Sequence, residues 1–207
     1  MTKYTGNGAA RTIGHGLGAK PDFWITKDLD EARTHAWRVW HKDLSGMNYR
    51  LELDESDAQS TSSTSWNNTA PTNSVFSLGA DDNTNKDGND YIIYCWTAVP
   101  GYSAFGKYDG NSGKPFVYLG FRPKFILLKG TTAGRNWIMV DAERSPYNGD
   151  VDPLYANTTD TEQNHNALDF LSNGFKIVDD GYSDYNVDAD IIYAAFAEFP
   201  FKTTRAR

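Results

Sequence analysis

One stretch of this chain is written twice. Gly18-Ala-Lys-Pro21-Asp-Phe23-Trp-Ile25-Thr-Lys27 and Gly120-Phe-Arg-Pro123-Lys-Phe125-Ile-Leu127-Leu-Lys129 both read G-x-[KR]-P-x-F-x-[IL]-x-K, 102 positions apart. Four further matches keep the same order. Lys3-Tyr4-Thr-Gly6-Asn7 meets Lys107-Tyr108-Asp-Gly110-Asn111 at an offset of 104, and Trp37 meets Trp137 at 100. Phe76-Ser-Leu78 meets Phe175-Lys-Ile177 at 99. Ile92-Ile-Tyr-Cys-Trp96 with Pro100 meets Ile192-Tyr-Ala-Ala-Phe196 with Pro200 at 100. Collinear self-similarity at a nearly fixed period is the mark of a repeat architecture. The expected organisation is two similar units, residues 3–101 and 107–201, joined by a short turn around 101–106. Roughly 100 residues per unit is the size of a β-sandwich.

Inside each unit the local pattern is that of strands. Phe23, Ile25 and Lys27 alternate with Trp24 and Thr26; Tyr49, Leu51 and Leu53 alternate with Arg50 and Glu52. Period two is the strand signal. Residues 91–97 and 190–197 are nearly continuous apolar runs, which predicts central strands buried on both faces. Clusters of Gly, Asn, Asp and Ser between the runs supply turns. The polar stretch 54–64 reads as a surface loop. Only residues 28–35 and 161–171 have a helical pattern, and helices that short are marginal. With 6 Trp, 12 Tyr and 11 Phe, the chain carries many rings suited to half-buried strands. The expected fold class is all-β: two similar antiparallel β-sandwich repeats, jelly-roll-like, in tandem.

Composition narrows the function. A formal charge of −7 argues against a sequence-independent grip on nucleic acid, which comes from Lys and Arg neutralising phosphates. No apolar run approaches the ~20 residues of a membrane span, and the start of the chain lacks an apolar secretory core, so neither membrane insertion nor a signal peptide is expected. The single Cys95, inside an apolar run, reads as a small buried hydrophobe. Ser103 in Gly101-Tyr-Ser-Ala-Phe105 lacks the second glycine of a nucleophile elbow, and Gly110-Asn-Ser-Gly-Lys114 is too short for a P-loop. His15, His35, His41 and His165 show no zinc spacing. The acidic runs 80–90 and 179–190 place oxygens at alternate positions, a weak calcium pattern set against solvated Asn/Asp/Gly turns. Neither run has the closing Glu of a calcium loop. The expectation is no enzyme, no cofactor and no metal.

The aromatic residues divide in two. Trp37, Trp137, Phe23, Phe125, Trp96 and Phe196 repeat at matched strand positions and are expected in the core. Trp66, Tyr102, Tyr147, Tyr155 and Tyr182 sit in turn-rich stretches. Together with Asn67 beside Trp66, they are the candidate binding residues, for stacking on sugar rings or for a subunit interface, where aromatics are enriched.

Several motifs carry a resemblance: Tyr4-Thr-Gly-Asn-Gly8, Arg11-Thr-Ile-Gly-His-Gly-Leu-Gly18-Ala-Lys-Pro21, and Ser65-Trp-Asn-Asn-Thr-Ala-Pro-Thr-Asn-Ser-Val-Phe76-Ser-Leu-Gly79. Tyr94-Cys-Trp96, Gly101-Tyr-Ser-Ala-Phe-Gly106 and Ser145-Pro-Tyr-Asn148 belong with them. The chain resembles, over nearly its whole length, the tandem-repeat domain of tail-fibre-like virion proteins of marine tailed bacteriophages, cyanophages included. That resemblance implies a structural virion protein of the tail fibre or host-attachment machinery, assembled in the host cytoplasm. It also implies other virion proteins as partners, a homo-oligomer with a trimer favoured, and a host surface glycan or receptor. It supplies no catalytic residues. A capsid decoration protein and a carbohydrate-binding, lectin-like module are the alternative readings.

Overall fold

A computed structural model describes residues 1–110, 113–178, 184–186 and 188–199. Two compact units divide the chain, Met1–Thr97 and Ala98–Arg207. Every strand pairing in both is antiparallel.

The first unit contains β1 (Thr2–Thr5), β2 (Arg11–Gly14), β3 (Phe23–Asp28), β4 (Arg38–His41), β5 (Tyr49–Glu52), β6 (Ser60–Thr61), β7 (Val75–Leu78), the short helix α1 (Asp82–Asn85) and β8 (Asp90–Trp96). Its large sheet has the order β1-β8-β3-β4-β5-β6, and β2 pairs with β7 separately. The cross-strand pair Trp24 and Trp40 stacks with ring centres 4.2 Å apart. Trp66 meets Trp24 edge-on at 5.3 Å. Phe76 of the small sheet lies against Trp24 and Tyr4 of the large one, at 6.3 and 6.4 Å. The two sheets therefore form two layers around an aromatic core, as a sandwich requires.

The second unit contains β9 (Ser103–Asp109), β10 (Phe116–Tyr118), β11 (Pro123–Gly130), β12 (Trp137–Asp141), β13 (Leu154–Tyr155), β14 (Leu168–Leu171), β15 (Gly174–Ile177) and β16 (Asp190–Ala197). Its sheets have the orders β13-β12-β11-β16-β9 and β10-β15-β14. Phe175 of the smaller sheet packs edge-on against Tyr108 and Tyr193 of the larger, at 5.9 and 5.7 Å. Val117, Phe170 and Ile177 meet Ile126, Val140 and Ile191 in the shared core.

The large sheets of the two units have the same strand order when β9, β16, β11, β12 and β13 are set against β1, β8, β3, β4 and β5. Individual hydrogen bonds recur at the matched positions. Leu29 and Thr131 donate their N–H to the carbonyls of Asp90 and Asp190. Lys42 and Ala142 donate to Asp22 and Lys124. The N–H groups of Trp37 and Trp137 donate to the side chains of Asp54 and Asn157. The buried Lys27 and Lys129 donate Nζ to the carbonyls of His35 and Arg135.

Some expectations are corrected. The expected helix at 28–35 does not form: Asp28 ends β3 and residues 29–35 are bends and turns, because the Asp28 carboxylate accepts the N–H groups of Asp30 and Glu31 and so competes with a helical ladder. Residues 168–171 of the second expected helix form β14. The helix of the first unit lies at 82–85 instead, capped by Asp81, whose side chain accepts from the Asn83 N–H. The expected turn at 101–106 contains the start of β9. In β8 burial alternates, whereas β3 and β4 are buried at every residue.

Candidate functional site

The sequence-predicted binding residues do not form one site. Trp66 is 0% exposed, so its ring belongs to the core and is not a surface platform. Asn67 is exposed in the adjoining turn with φ of 50°, and its carbonyl accepts from the Thr69 hydroxyl. Tyr155 is buried in β13 as part of the second unit's core, which also removes it from the surface. Tyr147 is 80% exposed. Tyr102 is partly exposed, with its ring edge on Phe196 at 6.4 Å. Tyr182 lies outside the described residues.

The chemically reactive types are tied into the fold. Cys95 is buried, and burial pushes its thiol up. His15 is buried, with Nε2 3.2 Å from the Thr72 carbonyl and Nδ1 accepting from the Leu17 N–H. In the acidic run 80–90, Asp81 caps α1, and Asp90 pairs with Lys3 at 2.7 Å. Of the run 179–190, residues 179–183 and 187 lie outside the described residues; Asp190 pairs with Lys107 at 2.7 Å. Among the described residues, no three His, Cys, Asp or Glu converge as metal ligands.

One polar cluster in the first unit has the look of a catalytic dyad. The fully buried Asp28 accepts backbone N–H groups from Asp30 and Glu31 at 2.8 and 2.9 Å, His35 Nδ1 at 2.8 Å and Asn89 Nδ2 at 2.9 Å. Burial alone would raise its pKa; the hydrogen bonds, led by the Glu31 N–H, hold the carboxyl well below the usual range. The other imidazole nitrogen lies 3.2 Å from Glu31. Both ring nitrogens thus face carboxylates of the same turn, and the cluster works as a clamp on residues 28–35.

The second unit carries an open groove of about 320 Å³. Tyr118 and Phe199 stand on its walls at 68% and 79% exposure, and the buried Phe121 contributes to its lining. Arg122, Ser172 and Asn173 supply the polar groups. Three local features build it. Gly120 turns the chain between β10 and β11 with φ of +79°, a left-handed conformation that favours glycine. The β14–β15 connection is the two-residue Ser172-Asn173 tip, and the Asn173 carbonyl accepts from Leu119 and Gly120 N–H at 2.9 and 3.1 Å. Arg122 donates Nη1 to the Phe170 carbonyl and pairs through Nε with Glu198 at 2.8 Å. Gly101 also lines the groove, and none of the sequence-predicted binding residues is among its lining residues. Tyr118 and Phe199 were not singled out by the sequence. The signal for Tyr118 was the alternation in Phe116-Val117-Tyr118, which buries Val117 and turns the Phe116 and Tyr118 rings to the other face; Phe199 had no such signal.

Fold and site together define a two-unit, all-antiparallel β protein with an aromatic-walled groove on its second unit. The chain belongs to the family described as Domain of unknown function (DUF7483), whose model matches residues 1–200. Comparison with the curated proteins and with the solved structures finds no match.

Proposed function

We propose that this chain is a structural component of a bacteriophage virion that works in host attachment by binding, without catalysis. Its partners in this reading are other virion proteins, further copies of itself in a trimer, and a host surface glycan or receptor. The motif resemblance supplies the class. The observation that carries the binding role is the uneven distribution of exposed rings. Tyr102, Phe116, Tyr118, Tyr147 and Phe199 are exposed in the second unit, against only Met1 and Leu29 among the large hydrophobics of the first. Exposed rings, two of which (Tyr118 and Phe199) stand on the walls of a groove, favour contact with a partner.

Gold-labelled antibody against the chain, applied to intact particles, tests the location. Label on the tail supports the attachment reading, label spread over the shell supports the decoration alternative, and unlabelled particles sink both. The purified chain is also expected to compete with particles for adsorption to host cells.

A further inference from the structure

We propose that the groove of the second unit is a saccharide site that takes an uncharged polysaccharide chain. The inference rests on the attachment reading and names the chemistry of its partner.

The comparison between units shows that the fold does not need these rings. Val117 pairs with Phe175 in the second unit as Ile13 pairs with Phe76 in the first. That register sets Tyr118 against Gly14 and Phe116 against Thr12. A glycine and a threonine thus serve the same two-layer packing that a tyrosine and a phenylalanine serve here. Rings as exposed as Tyr118 and Phe116 return little by burial, so their place is explained by what they contact outside the fold.

The local geometry makes them a platform. Tyr118 lies opposite Gly174, which has no side chain to cover the ring. Phe116 sits on the same side of β10 as Tyr118. A flat apolar face next to fixed hydrogen-bonding groups matches a pyranose, with its C–H face and its rim of hydroxyls. Ser172 and Asn173 offer a hydroxyl and an amide from a tip already tied to the Gly120 turn, so the polar groups are held before a ligand arrives. Charge selects the neutral class. Among the described residues that line the groove Arg122 is the one cation, and its charge is met by Glu198 while the Phe170 carbonyl holds its second arm, which disfavours an anionic polymer.

The test is affinity electrophoresis of the full chain through gels containing laminarin, galactomannan or agarose, with alginate as the anionic comparison. At least one neutral polymer is expected to retard the protein. Tyr118→Ala and Phe199→Ala should each weaken that retardation constant about tenfold, and Asn173→Ala several-fold. Tyr118→Phe should stay within about twofold, because it keeps the ring, and Asp57→Ala, an exposed position in the first unit, should change nothing. Thermal melts check that each variant folds; should Tyr118→Ala fail to fold, Phe199→Ala and Asn173→Ala carry the test. Retardation by alginate alone, by none of the neutral polymers, or equally for the wild type and the folded ring variants overturns the proposal. If the protein blocks particle adsorption while no sugar retards it, the saccharide inference fails and the attachment reading stands; if it does neither, both fail.

Discussion

At the scale of single residues, the strongest polar commitment is Asp28. A buried carboxylate is costly unless its acceptor positions are filled, and here two backbone N–H groups, a ring N–H and an amide fill them. Removing the carboxylate strands those donors in a dry site. Asp28→Ala is therefore expected to cost about 3 kcal/mol, read as a shift in the urea midpoint of unfolding. A surface control such as Asp57→Ala should stay within about 0.5 kcal/mol. If the two variants unfold alike, the clamp contributes nothing. Trp66 makes the apolar counterpart. It sits in a run of Ser, Thr and Asn that reads as an exposed loop, yet its ring fills the space beside Trp24. Local composition could not show this, because the ring that Trp66 packs against, Trp24, comes from distant β3. Trp66→Ala should cost about 3–5 kcal/mol through the cavity it leaves.

At the scale of elements, the repeated motif was the most legible feature, and its physical content can now be assigned. Its glycine, Gly18 or Gly120, has positive φ in both copies and turns the chain into the strand. Its aromatic and aliphatic positions build β3 and β11, and its lysine is a buried donor to a carbonyl that precedes the next strand. That last role was hidden, since alternation shows which face a residue shares and not whether water reaches it. Helix α1 was illegible for a different reason: Asp82-Asn83-Thr84-Asn85 has poor intrinsic helix propensity, and only the Asp81 cap marks its start. The groove was half legible. A three-residue strand such as β10 cannot announce which side faces solvent until its ladder partner is known. That partner places a tight constraint on Gly174, where an added Cβ would lie 2.0 Å from the Val117 carbonyl oxygen. Gly174→Ala should push β10 away from β15 and cost about 2–3 kcal/mol, with loss of hydrogen-exchange protection at Val117 and Phe175. Protection equal to wild type at both amides would show that the ladder absorbs the methyl group and that the platform is not set by this close approach.

At the scale of the whole molecule, the acid response separates the two units. In the first, Asp28 is buried without remainder and Asp81 nearly so. Burial works to raise Asp81, while the Ser65 hydroxyl, the Asn83 N–H and Arg38 hold it below the ordinary range. In the second, Asp141 is likewise lowered, by the Arg144 N–H and guanidinium against a burial penalty, but it keeps about a quarter of its side-chain exposure. A carboxyl whose pKa falls on folding adds stability above its unfolded value of about 3.9 and loses it as pH drops toward its folded value. The formal charge of −7 at neutral pH shrinks as pH falls toward 5, so self-repulsion does not drive unfolding in that interval. Stability is thus expected to hold from pH 7 to about 5 and to fall below about 4, more steeply in Met1–Thr97, which stakes two well-buried carboxylates, than in Ala98–Arg207. Hydrogen exchange followed by mass spectrometry, corrected for intrinsic rates, reads this directly. Peptides from β3 and β8 should lose protection at a higher pH than peptides from β11 and β16, and Asp28→Ala should flatten the pH dependence of the first pair alone. Simultaneous loss in both units, or a first unit whose acid sensitivity survives Asp28→Ala, would place the acid-labile interactions elsewhere.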